Sequence, residues 1–103
     1  MSQAITLDLP LEEIREYCAT QPIRRLSVFG SALRNELTPE SDIDLLVEYL
    51  PDASVGYFSM ARHMREFSEI VGRPVDLCTP KSISRYFRQN VLDSAMPIYA
   101  KEP

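Results

Sequence analysis

Asp42-Ile43-Asp44-Leu45-Leu46-Val47 begins with two carboxylates on alternate residues and becomes wholly apolar within three positions. Alternation by two is the period of a strand, so both carboxylates leave the same face, about 6 to 7 Å apart along the backbone. A strand whose second half is continuously apolar needs cover on both faces, which predicts a central place in its sheet. Like charges held that close repel, and a hard, oxygen-seeking cation such as magnesium relieves the repulsion. The stretch therefore predicts the middle of an α/β sheet with a metal at its polar mouth.

Upstream, Arg25-Leu26-Ser27-Val28-Phe29 reads as a short strand running into Gly30-Ser31 and a second, shorter helix that Asn35 can stop. The connection to Asp42 is only about eleven residues, tight for a parallel crossover, so the two strands are expected to be antiparallel and Gly30-Ser31 to meet Asp42. Before them, Leu11, Ile14 and Cys18 fall at helical spacing between about Pro10 and Thr20, with Glu12 and Glu13 in the first turn and Pro22 closing the helix.

Downstream, Tyr57, Met60, Ala61, Met64, Phe67 and Val71 repeat at three and four, which predicts a helix from about Ser54 to Val71 that ends at Gly72 and turns this stripe to the core. Pro74-Val75-Asp76-Leu77-Cys78 is then a third strand. A strand, helix, strand passage of this length implies a parallel pair with a right-handed crossover, which sets Asp76 beside Asp42 and Asp44. Thr79-Pro80 supplies an N-cap and a proline for a fourth helix expected to run through about Gln89, with Ile83 and Phe87 one turn apart. Pro97 to Ala100 reads as a strand whose leading proline places it at an edge. His63, between Arg62 and Arg65 and without a second histidine at ligand spacing, is expected at the surface or partly buried.

The chain of 103 residues is expected to form one domain, 1–103, too short to add a separate acceptor-holding domain to a catalytic unit. Its 45% hydrophobic and 25% charged residues argue for a globular fold over disorder. Met1 to Leu11 lacks the pattern of a secretory signal and no run approaches the roughly 20 apolar residues of a membrane span, so a cytoplasmic protein is expected. Cys18 and Cys78 have no zinc-site spacing and read as reduced, buried residues. Eleven basic against fifteen acidic residues give a net charge of -4, the wrong sign for gripping a polyanion, so stand-alone nucleic-acid binding is disfavoured.

Gly30-Ser31, Asp42-x-Asp44 and Asp76 thus converge on one edge of one sheet. Gly30 lets backbone approach a ligand closely, and Ser31 opens a helix whose free amides favour phosphate oxygens. Two magnesium ions about 3.5 to 4 Å apart are the usual arrangement for phosphoryl and nucleotidyl transfer. An isolated Asp-x-Asp is more often a solubility device at a strand mouth, Asp76 alone could cap the next element or pair with Arg73, and Gly30 could simply serve a turn. Gly-Ser, ten residues and Asp-x-Asp together should arise by chance in on the order of one chain in a thousand, so convergence decides against those readings. Among the basic residues only Arg34, three positions after Ser31, has a positional argument for phosphate.

These residues resemble the nucleotidyltransferase superfamily of DNA polymerase beta, and within it the minimal nucleotidyltransferase branch, the MNT antitoxin-like proteins often paired with HEPN-domain toxins. The resemblance runs from Leu26 through Tyr99. It implies that Gly30 and Ser31, with Arg34, bind the triphosphate of ATP, and that Asp42, Asp44 and Asp76 hold two magnesium ions. Where the family often shows Gly-Ser-Arg-Ala-Arg-Gly, this chain reads Gly30-Ser31-Ala32-Leu33-Arg34-Asn35 and keeps only the second arginine. The implied fold is α/β (α+β): a small mixed sheet of three or four strands, helices mainly on one face and the active site on the other. The implied activity is transfer of AMP to a protein, a tyrosine of a HEPN-type ribonuclease toxin, in a type VII-like toxin-antitoxin pair. Two alternatives stand beside it: an antitoxin that neutralises its partner by binding alone, and transfer to a small molecule, for which related enzymes carry a further domain.

Overall fold

The computed structural model describes residues 9–30 and 42–101. Along them run α1 (Leu11–Ala19), β1 (Ile23–Phe29), β2 (Ile43–Tyr49), α2 (Tyr57–Val71), β3 (Val75–Cys78), a 3-10 turn (Pro80–Ser82), α3 (Arg85–Ser94) and β4 (Met96–Ala100). The strands form one sheet in the order β3-β2-β1-β4. β1 is antiparallel to both of its neighbours, and β2 is parallel to β3. The antiparallel first pair, the parallel second pair and the edge position of the last strand all match the sequence expectation. The predicted short helix after Gly30 and its stop at Asn35 lie outside the described residues.

Alternation along the strands builds the core. Leu26 and Val28 of β1, Ile43, Leu45 and Val47 of β2, and Val75 and Leu77 of β3 are buried with Ile14 and Cys18 of α1 and Phe67 of α2. Leu46, which points to the other face of β2, is also only 1% exposed, as a central strand requires. Burial pushes the Cys18 thiol up to about 12, which keeps it protonated and inert. Cys78 departs from expectation: it is only half-buried, on the opposite face from Leu77. No helix among the described residues is long and apolar enough to cross a membrane.

α2 ends where the sequence predicts, with Gly72 left-handed at φ 84° and its N–H donating to the Ser68 carbonyl at 2.8 Å. Its start and its buried face differ. The helix begins at Tyr57, after an extended Gly56, instead of Ser54. Met60, Phe67 and Val71 do pack on the core, but Tyr57 is 92% exposed and Ala61 and Met64 also face outward. The helix is rotated so that His63, 1% exposed, takes a core position.

Burial of that imidazole is tolerated because both nitrogens have partners. Nδ1 lies 2.9 Å from the Tyr49 hydroxyl, and Nε2 lies 3.1 Å from Oε1 of Gln21. The amide oxygen can only accept, so Nε2 carries the proton and donates, while Nδ1 accepts from Tyr49, a neutral ring. Burial, then the Arg62 charge, hold His63 below its ordinary 6.5. The unfolded chain therefore takes up a proton that the folded one resists, so this contribution is full above about pH 6.5 and is lost as pH falls towards the depressed folded value. Urea midpoints at pH 7.5 and 5.5 should show lower stability at the acid value, and His63→Gln should flatten that difference. An unchanged pH dependence in the variant would remove His63 as its source.

The predicted fourth helix divides in two. Thr79 and Ser82 form a reciprocal capping box around the Pro80–Ser82 turn, the chain then extends at Ile83 (φ −88°, ψ 135°), and Ser84 caps a new helix at Arg85. Serine side chains that bond nearby backbone compete with helix continuation, and here they stop one helix and start another. Ile83 and Phe87 consequently do not stack one turn apart; Phe87 is 61% exposed.

Candidate active site

The site forms where three strands meet at one end of the sheet. Asp44 pairs across β1 with Phe29, the last residue of that strand, and across β3 with Asp76. Register neighbours share a face, so the carboxylates of Asp44 and Asp76 leave the same side of strands about 4.8 Å apart. Asp42 lies one residue before β2, and a bond from the Ile43 N–H to the Pro74 carbonyl at 2.9 Å ties the mouth of β2 to β3. Asp42 and Asp76 are exposed and Asp44 is half-buried.

Gly30 completes the corner. Its φ of 77° is in the left-handed region, and a Cβ there would overlap the Asp44 carboxylate, whose Cγ would be 3.2 Å away. Glycine is thus required twice, once by its backbone and once by the carboxylate packed over it. Gly30→Ala should lower thermal stability by about 1 kcal/mol or more and displace Asp44, so nucleotide affinity should fall beyond what the melting shift accounts for. Wild-type melting and nucleotide affinity in a Gly30→Ala protein would contradict this packing.

Cys78 pairs with Leu46 two residues beyond Asp76, on the carboxylate face. Burial raises its thiol, and the charges of Asp76 and Asp44 add to the effect, an independent sign that both carboxylates project to that side. Sequence reasoning treated Cys78 only as core; its spacing of two from Asp76 was the signal that it borders the site. At the far end of the face Arg24 and Arg25 approach Glu48 at 3.8 and 4.0 Å, away from the acidic mouth.

The donor set suits a hard cation: oxygen ligands only, with like charges already adjacent. Among the described residues no three such side chains converge on one point in this conformation. Asp44 and Asp76 are register neighbours on β2 and β3, and Asp42 immediately precedes β2 at the same end of the sheet. Ser31 and Arg34 lie outside the described residues.

The family model for polymerase beta nucleotidyltransferases matches residues 12–103. The chain is 36% identical over 76 residues to a protein of Methanocaldococcus jannaschii named "Putative protein adenylyltransferase MJ0435", covering 74% of this chain and 80% of that one. The chain belongs to the polymerase beta nucleotidyltransferase family. Among solved structures, a "putative minimal nucleotidyltransferase" is 30% identical with a TM-score of 0.71, covering 84% of this chain and 87% of the other. A toxin-antitoxin crystallised with AMP-PNP superposes with a TM-score of 0.74 over 91% of this chain and 76% of the other; at 18% identity this is a likeness of fold.

Proposed function

We propose that this nucleotidyltransferase moves AMP from ATP onto a protein, a tyrosine hydroxyl of a HEPN-type toxin, and that it acts in the cytoplasm as the antitoxin of a type VII-like pair. The observation that carries the reading is the corner itself: Asp44 in register with Asp76 and packed over Gly30. The name of the M. jannaschii relative supports a protein acceptor, and the toxin-antitoxin fold neighbour supports the pairing with a toxin.

Each residue then has a task. Gly30, with Ser31 and Arg34, receives the triphosphate against bare backbone. Asp42, Asp44 and Asp76 would hold magnesium, in all two ions, which supply positive charge to the phosphate oxygens and to the attacking hydroxyl. Asp76, on the edge strand, faces the acceptor and takes the hydroxyl proton. The acceptor oxygen forms a bond to the α-phosphorus, and the bond from that phosphorus to the bridging oxygen breaks with release of pyrophosphate.

The test is transfer of label from α-labelled ATP by the purified protein to the purified product of the neighbouring gene. AMP on a tyrosine of that product is the expected result. A complex that forms without label, and forms equally well with Asp44→Asn, would instead establish an antitoxin that works by binding.

A further inference from the structure

α3 is a helix with no buried residue. It shows Tyr86 at 77% and Phe87 at 61% exposure, and Arg85 sits over the Tyr86 ring at 5.4 Å. Charge is sorted along the same stretch. Between Asp76 and Asp93 there are Lys81, Arg85 and Arg88 and no acid, while the rest of the chain has eight basic residues against fifteen acidic ones. Arg88 adds a half-buried guanidinium whose Nη2 donates to the Ile83 carbonyl at 3.1 Å, while its buried Nε has no partner.

Lys81, the first cation of this stretch, also lines a cleft of about 520 Å³ between α2 and the Pro80–Ser82 turn. Met60 and Leu77 contribute apolar lining, with Tyr57 and Met64 from the outward side of α2 and Lys81 from the turn. Leu77 follows Asp76 on β3 but belongs to the opposite, helix-covered face, so the cleft and the carboxylates lie on either side of one edge strand.

We propose that this aromatic and basic surface, with its cleft, docks the acceptor protein through an apolar segment rimmed by acidic side chains. The proposal rests on the protein-acceptor reading above and names the chemistry of the contact. Exposed Tyr, Phe and Arg are the residue types that dominate binding energy at protein interfaces. Charge complementarity selects the occupant: a second copy docked face to face would bring the same cations against themselves, and three cations on a chain of net charge -4 are too few to hold a nucleic-acid backbone.

Two variants test it, Tyr86→Ser/Phe87→Ser and Lys81→Glu/Arg85→Glu, both at exposed positions away from the nucleotide corner. With the neighbouring gene's product as acceptor, each should raise KM for the acceptor about tenfold or more, the scale of losing an interface anchor, with saturated kcat and ATP affinity unchanged. The charge-reversal effect should shrink in high salt. An unchanged acceptor KM in either variant overturns the docking surface while the transferase reading stands. A twelve-residue oligothymidylate that binds wild type more tightly than the acceptor does, and loses this on charge reversal, overturns it in favour of nucleic acid. A wild type that labels no protein overturns the transferase reading instead, and the docking proposal with it.

Discussion

Asp44→Asn should reduce AMP transfer on the order of a thousandfold or more, the scale of removing a principal electrostatic group from a transfer site, while the protein stays folded. Asp44 is the residue on which the corner closes, pairing with Phe29 and Asp76 and lying over Gly30. Asparagine keeps its size but offers a neutral oxygen, a poor ligand for a hard cation. Calorimetry should show that Asp42→Asn/Asp44→Asn loses magnesium-dependent ATP binding, because an acidic protein otherwise repels a triphosphate. Tight ATP binding by the double variant in magnesium would place the metal site elsewhere.

The carboxylate corner was legible because strand patterns carry register information. The β2-α2-β3 crossover forces β3 parallel, which brings Asp76 into register with Asp44. Gly72 and the edge proline Pro97 were legible for a similar reason: left-handed backbone and a missing N–H are properties of one residue, not of its neighbours. What failed depended on contacts distant in sequence. The row Tyr57, Ala61 and Met64 is as apolar as the row that faces the sheet, so periodicity could not choose between them. The choice came from Tyr49 and Gln21, which make His63 an acceptable core residue. The packing of Asp44 over Gly30 was equally invisible, since it depends on how the end of β1 turns.

Asp76→Asn should separate chemistry from binding. Asp76 is exposed on an edge strand, so its removal leaves the core intact and the melting temperature close to wild type. Asp44 on the neighbouring central strand and Asp42 just before it still carry the charge that accompanies the triphosphate, and ATP affinity should fall little. Transfer should slow by roughly a hundredfold or more, the usual scale for losing a positioned base. The edge position explains the asymmetry: Asp44 is flanked by strands on both sides, whereas Asp76 has β2 on one side and open approach on the other, where an acceptor hydroxyl can reach it. A residue needed only for architecture would lose affinity, transfer and stability together, so the three must be measured on the same protein. Asp76→Glu supplies the internal control, because it restores the charge at a displaced position and should recover part of the single-turnover rate without changing nucleotide affinity. Wild-type transfer by a folded Asp76→Asn protein would exclude Asp76 as the base and assign the hydroxyl proton to another group.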